Sequence, residues 1–324
     1  MPPVPPIPLV LLFGSTASGK TEMLEDLFAG EAPPCSAEII SADSMQVYRG
    51  MDIGTAKPGA ALRSRLPHHL INIRNPNEQF NAGEFVRLAD AAAVDINRRG
   101  KLPVVSGGTG FYLLNFVQGL PEAPPSDEGI RRQLKEELKT GGIVPLAEEL
   151  ALRDPQSAAR IHLHDEYRLL RALEVFRLSG RPLSSYPRSG GASSGGSRPH
   201  YRFLLLGIDR ERELIYRRIN ERCALMFRRG LPEEVRRLRD AGYGPADPGL
   251  RAIGYKEFFV ETAPGEWRIS GDLAGVEALV ARNSRRYAKR QLTYFASIPG
   301  VKWISAAGDP VKEIRNELES FLEV

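Results

Sequence analysis

Eight consecutive residues carry the clearest chemistry in this chain: Gly14, Ser15, Thr16, Ala17, Ser18, Gly19, Lys20 and Thr21. They fit GxxxxGK[ST], in which glycines let the backbone turn until its N–H groups converge on an anion. A helix beginning at this point adds its positive end. Lys20 brings a point charge toward the outer phosphates, and Thr21 offers a hydroxyl to Mg²⁺. A phosphate-bearing ligand is therefore expected, and the pattern leaves open whether it is a nucleotide or a pyrophosphate ester. A glycine-rich turn with no ligand is the plain alternative. The strand before the motif and the helix after it disfavour that alternative.

Three further groups could do chemistry. Asp43, in Ser41-Ala42-Asp43-Ser44-Met45-Gln46, fits a turn cap, a magnesium ligand or a general base. A free carboxylate is a poor base at rest, but serves when its target turns acidic in the transition state, as an amine does while it forms a bond. Thr109, in Ser106-Gly107-Gly108-Thr109-Gly110, is a helix N-cap or a hydroxyl held close to a ligand. Arg218 and Arg222, spaced i, i+4, either reach one anion together or form a solvated face with Glu221.

The elements that must hold these residues alternate in type. Ile7–Phe13 is a continuous apolar run, read as a strand buried on both faces, and the helix after it reaches Phe28. Strands are expected over 38–42, 102–106, 203–208 and 301–304, and helices over 84–99, 211–229, 232–241, 255–261 and Leu273–Phe295, with a helix last. Alternation of this kind implies an α/β fold with a parallel sheet, whose ligands sit beyond the carboxyl ends of the strands. Between them, the texture changes at about residue 120. A linker over 121–127 precedes helical segments, clearest at 131–138 and 168–178, and 188–199 is Gly/Ser-rich low complexity. The division expected is a core of residues 1–119 and 200–324 around a helical insertion of residues 120–199.

Charge helps to choose a partner. Lys and Arg number 44 against 40 acids, a net of only +4, so position must decide. In the helix from Leu273, Leu273, Val280, Tyr287 and Tyr294 repeat every seven residues as a buried stripe. Arg282, Arg285, Arg286 and Lys289 then face the other way, with no acid between Arg282 and Arg290. A solvated face would mix signs, so a one-signed stripe favours a polyanion such as nucleic acid.

Other features set limits. The chain has two cysteines, Cys35 and Cys223, with no CxxC pair, which argues for a reducing compartment and against structural zinc. His68 and His69 read as hydrogen-bonding residues rather than metal ligands. No apolar run is long enough to span a membrane, and the proline-rich start, a short polyproline-II tail, lacks the features of a signal peptide. A cytoplasmic monomer is expected.

Taken in order, the motifs resemble those of the tRNA dimethylallyltransferases, which prenylate adenosine beside the anticodon. GSTASGKT is followed by SADSMQVYRGMDIGTAKP, residues 41–58, the most specific block. PHHLINI, SGGTGFYL, LLRALEVF, LRAIGYKE and AKRQLTYF follow in family order. The resemblance implies a P-loop NTPase-like core, dimethylallyl diphosphate on residues 16–21, and Mg²⁺ near Thr21. It makes Asp43 the base for adenine N6, puts Thr109 near the leaving diphosphate, and makes Arg222 the diphosphate arginine. It assigns contacts with the tRNA anticodon stem-loop to Asp43, Ser44, Met45, Gln46, Arg131, Tyr167, Arg168, Arg171, Arg251 and Lys256. In the last basic helix it adds Lys289 and Arg290 beside Arg286. Three departures stand out: Ser15 where proline is commoner, Tyr167 where glutamine is commoner, and Cys223 where phenylalanine is commoner. The C-terminal zinc finger of eukaryotic relatives is missing, as in the short bacterial form.

Three rival functions are consistent with parts of the pattern. A small-molecule kinase explains the phosphate loop but leaves residues 41–58 and the basic helix without purpose. Prenyl transfer to free adenine nucleotides leaves the basic stripe and the insertion unexplained. A non-catalytic RNA-binding protein would have no need of intact Lys20, Thr21, Asp43 and Thr109.

Overall fold

A computed structural model describes residues 5–120, 123–186 and 198–323. The start of the proline-rich tail, the first residues of the expected linker and nearly all of the low-complexity segment lie outside these residues.

The chain divides into two compact units, Met1–Val117 with Pro199–Val324, and Gln118–Arg198. The first holds a six-stranded sheet, built from β1 (Ile7–Phe13), β2 (Ala37–Ser41), β3 (His68–His69), β4 (Leu102–Gly107), β5 (Tyr201–Asp209) and β8 (Lys302–Ser305). Their order is β3-β2-β4-β1-β5-β8, and every pairing is parallel. This is the P-loop NTPase-like α/β arrangement. Helices α1 (Lys20–Phe28), α2 (Ala60–Arg65), α3 (Ala82–Arg98) and α4 (Gly110–Gln118) join the first strands. α9 (Arg212–Arg228), α10 (Leu231–Asp240), the hairpin β6 (Phe259–Ala263) and β7 (Glu266–Ile269), and α11 (Leu273–Phe295) lie between β5 and β8. α12 (Pro310–Leu322) is last.

Local signals explain the boundaries. Leu9, Val10, Leu11, Leu12 and Phe13 of β1 are all at most 2% exposed, because β4 and β5 flank the strand and helices cover both faces. In α3, Asn81 accepts the Glu84 amide while Glu84 reaches back to the Asn81 side chain, a reciprocal cap. Asp272 caps α11 through the Gly275 amide. Connections leave β1 and β5 toward opposite edges, the first to β2 and the second to β8. The crevice at the ends of these two neighbours is where such sheets take ligands.

The second unit is helical: α5 (Glu128–Gly141), α6 (Ile143–Arg153), the short α7 (Pro155–Ala158) and α8 (Glu166–Ser179). Leu134, Leu146, Leu150, Leu169, Leu170 and Leu173 make its core.

Two expectations are corrected. Residues 255–261 are not a helix: a 3-10 turn at Lys256–Phe258 runs directly into β6. Val260 and Thr262 favour an extended chain, and the Pro264-Gly265 turn after them is a hairpin signal that the apolar Phe258-Phe259 pair obscured. In α11 the heptad stripe holds only at Val280; Leu273, Tyr287 and Tyr294 are half-buried. The buried positions are Val276, Val280, Ala288, Gln291 and Phe295. A straight helix drifts about 20° per heptad, so a seven-residue repeat walks off the packed face.

Candidate active site

β1 ends at Phe13, and the loop of residues 14–19 delivers Lys20 as the first residue of α1. Ala17 sits at φ 62° and Gly19 at φ 102°, so even a non-glycine residue is held in the left-handed region. Gly19 supplies no side-chain cap to α1, leaving the amides of its first turn directed at the loop. The loop's carbonyl oxygens, by contrast, are taken by cations. Lys20 donates to those of Gly14 and Ser15, each at 2.8 Å, Arg210 to that of Ser18 at 3.1 Å, and Arg218 to that of Ala17 at 2.9 Å. Carbonyl dipoles that would repel an anion are thereby neutralised in part. Ser15 and Ser18 are fully buried, and Thr21 is exposed.

The loops after β2 and β4 meet beside this one. Asp43 Oδ1 accepts the Met45 amide at 2.8 Å and that of Gln46 at 3.3 Å, and Thr109 Oγ1 accepts the Ser44 amide at 3.0 Å. Ser41 donates to Gln46 at 3.0 Å, which turns Gln46 toward the body of the loop. The loop after β2, Thr16 of the phosphate loop, α9, α11 and residues 251–256 line a cavity of about 310 Å³. Thr16, Asp43, Ser44, Met45, Arg222, Arg251, Lys256 and Arg290 all line it. Its apolar wall is Ile219, Cys223, Met226 and Val280, so the Cys223 thiol belongs to the cavity lining. Lys20, Thr21, Gln46 and Thr109 do not line it but stand in the loops around it.

Charge in this region is concentrated and desolvated. Burial, and next the neighbouring Arg222 guanidinium, lower the Lys20 pKa to about 8. Burial also lowers the pKa of Arg222, which makes no hydrogen bond or ion pair with a described residue. A half-buried guanidinium without a partner, facing a cavity, is a site for an anion. Arg218, its i, i+4 neighbour, is committed instead to Ala17 and to Glu22 at 3.2 Å.

Residues 41–58 owe their shape to a carboxylate that carries no motif of its own. Glu234 of α10, 2% exposed, accepts from the amides of Asp52, Ile53 and Gly54 and from the Tyr255 hydroxyl at 2.6 Å. A side chain at Gly54 would start 2.5 Å from the Tyr255 ring, so only glycine fits. Lys57 closes the block, donating to Tyr48, Asp52 and Asn72 at 2.7 Å each. His69 bonds Glu38 at 2.7 Å and His68 bonds the Leu66 carbonyl, hydrogen-bonding roles as expected. Arg99 and Lys101 share the same Glu38.

The remaining basic residues form two groups. Arg286, Lys289 and Arg290, with Thr293, Tyr294 and Ser297, line an open groove of about 630 Å³ along α11. Arg282 is also exposed, while Arg285 is half-buried and bonds Asn220. In the helical unit, Arg131 lies over the Tyr167 ring at 4.9 Å, and Arg168 pairs with Asp165 at 3.3 Å. Arg171 is anchored by Glu174 at 2.9 Å and by the Pro124 carbonyl. Tyr167 is 61% exposed, open to stacking.

The contacts of two α11 residues are not recognisable from sequence. Gln291 and Tyr287 both reach the loops described above, although Gln291 stands in the AKRQLTYF block with nothing to mark it as a loop contact and Tyr287 falls on the expected packing stripe. The signals for Gln291 are its place in that block and a lone amide on an otherwise apolar helix face.

Fold and site define a P-loop protein of the α/β class, with the phosphate-loop motif set beside a cavity and a basic groove. Its family is set by comparison: the chain belongs to the IPP transferase family, whose sequence profile matches residues 46–297. It is 44% identical to the tRNA dimethylallyltransferase of Geobacter sulfurreducens over 296 residues, 91% of each chain. Among solved structures, the tRNA isopentenylpyrophosphate transferase of Bacillus halodurans is 35% identical, with a TM-score of 0.66 over 98% of this chain and 97% of that one. A eukaryotic dimethylallyltransferase acting on tRNA is 25% identical, with a TM-score of 0.72 over 92% of this chain and 74% of that one. Among the described residues no helix is long and apolar enough to cross a membrane.

Proposed function

We propose that this protein is an enzyme that transfers a dimethylallyl group from dimethylallyl diphosphate to N6 of the adenosine beside the tRNA anticodon, position 37, releasing diphosphate. The carrying observation is the cavity of about 310 Å³ in which Thr16 of the phosphate loop and unpartnered Arg222 face Asp43. Membership of a family whose relatives are named for this reaction supports it and disfavours a kinase.

In this reading the diphosphate rests on the amides of residues 14–21, with Lys20 and Arg222 balancing its charge. The prenyl tail lies along Ile219, Cys223, Met226 and Val280. Adenine, flipped out of its loop, enters past Ser44 and Met45, since a stacked base could not reach the cavity. As N6 attacks the allylic C1, the bond from C1 to the diphosphate oxygen breaks and Asp43 takes the N6 proton. Preorganised amides and cations stabilise the departing charge, and Thr109 steadies the loop beside it. The groove of Arg286, Lys289 and Arg290 takes tRNA phosphates. Residues 120–199, with Arg131, Tyr167, Arg168 and Arg171, form the domain that grips the anticodon stem-loop, and residues 1–119 and 200–324 the catalytic domain.

Magnesium fits the donors available. Among the described residues no cluster of three or more His, Cys, Asp or Glu side chains could hold a metal, but the exposed Thr21 hydroxyl is a hard oxygen at the loop. Mg²⁺ ordinarily takes few protein ligands and relies on substrate phosphates and water. Thr21 would hold it, and its contribution would be to neutralise diphosphate charge.

The test is mass analysis of nucleosides from tRNA incubated with the protein, Mg²⁺ and dimethylallyl diphosphate, with ATP replacing the donor in a parallel reaction. A prenylated adenosine formed only with dimethylallyl diphosphate is expected. Modification of free adenine nucleotides but not tRNA, or phosphate transfer from ATP, would overturn the reading.

A further inference from the structure

Gln291 bridges two loops that the reaction must keep aligned. Its Oε1 accepts the Thr16 amide at 2.8 Å, and its Nε2 donates to the Gly108 carbonyl at 2.6 Å. The side chain is 5% exposed, so neither bond is exchanged for water. A β-carbon at Gly108 would come within 2.5 Å of that Nε2, so the close approach depends on glycine. One turn earlier on the same helix face, the Tyr287 hydroxyl approaches the same Gly108 carbonyl at 3.5 Å and lines the cavity with Thr16 and Asp43.

We infer that Gln291, assisted by Tyr287, is a positioning residue of this site: it fixes the spacing between the phosphate loop and the Thr109 loop, and so the alignment of donor and acceptor. The inference rests on the function proposed above. Its physical basis is that reacting groups must be held within a fraction of an ångström, and that small misplacements cost large factors in rate. Tyr287 is suited to a donor's part. Burial, followed by the Asp43 charge, pushes its pKa up to about 12, so its hydroxyl keeps its proton throughout the working range. The opposite face of α11 carries Arg286 and Lys289, so the helix that meets the polyanion also sets the two loops.

The test compares Tyr287→Phe, Gln291→Met and the double variant with the wild type. Tyr287→Phe keeps the ring, and Gln291→Met keeps length and volume without hydrogen bonds. Each should lower kcat by roughly tenfold or more, with KM for tRNA and for dimethylallyl diphosphate within about threefold. The double variant should be no worse than the poorer single one, because both side chains act on Gly108. Melting temperature and direct tRNA binding confirm folding for each. If Gln291→Met does not fold, Tyr287→Phe alone decides. Wild-type kcat in the folded variants, or a loss confined to KM, would overturn the inference. A wild-type protein that prenylates no tRNA would instead overturn the proposed function.

Discussion

Asp43 Oδ1 accepts the Met45 amide at 2.8 Å, while the other carboxylate oxygen makes no hydrogen bond with a described residue. One oxygen shapes the loop and the second is uncommitted, so in the proposed reaction capping and proton transfer need not compete for the same atom. Asp43→Asn preserves the capping oxygen and removes charge and basicity. Turnover should fall by roughly 10²–10⁴-fold, with both substrates still binding and no recovery at raised Mg²⁺. Single-turnover kinetics check it; a rate within a few-fold of wild type would leave Asp43 as a cap only.

Lys20 makes donor binding depend on pH. With its pKa lowered to about 8, the free enzyme loses this cation as pH rises through that value, and affinity for dimethylallyl diphosphate should weaken by up to about tenfold per unit. The stability effect has the opposite sign. Because the unfolded lysine binds its proton up to the ordinary value of 10.5, the folded state is penalised below about pH 8 and relieved between there and 10.5. Titrating KM for the diphosphate against pH, with Lys20→Arg as the comparison, measures the first effect. A flat profile in the wild type would remove Lys20 from the diphosphate.

Exposed cations on α11 should act through phosphates. Replacing Arg286 and Lys289 together by alanine should lower the slope of log affinity for tRNA against log salt by about one for each phosphate no longer neutralised, while kcat at saturating tRNA holds. Filter binding over a salt series reads it. An unaltered slope would return these residues to the solvated surface.

Glu234 is expected to matter for stability before chemistry. Glu234→Gln puts an amide N–H₂ against backbone N–H groups and weakens the bond to Tyr255, a loss of about 2 kcal/mol or more. Tyr255→Phe removes one bond and should cost about 1 kcal/mol. Thermal melting ranks the two, and equal melting temperatures would contradict the assignment.

Legibility from sequence followed burial. β1, β4 and β5 are continuous apolar runs because they lie within the sheet, and each ends at a glycine-bearing or charged loop that marks the site edge. β3 has two residues and no period to detect, and the 259–269 hairpin is exposed along both strands, so neither carries a hydrophobic pattern. Lys20, Asp43 and Arg222 were readable from motif and family resemblance. The loop contacts of Gln291 and Tyr287 were not, because their partners lie 275 and 179 residues away, and Glu234 meets its loop across 180 or more. Pairings of that separation belong to the tertiary structure.

The Glu234 arrangement also bears on how the protein will respond to competing anions. The amides of residues 52–54 hold a carboxylate that is covalently part of the chain, whereas the proposed function gives residues 14–21 the role of cradle for a diffusible anion. On that reading sulfate, phosphate or product diphosphate would compete for residues 14–21 and have no place at residues 52–54. Product inhibition should therefore act on donor entry alone, leaving the adenine side of the chamber assembled while the enzyme waits between turnovers.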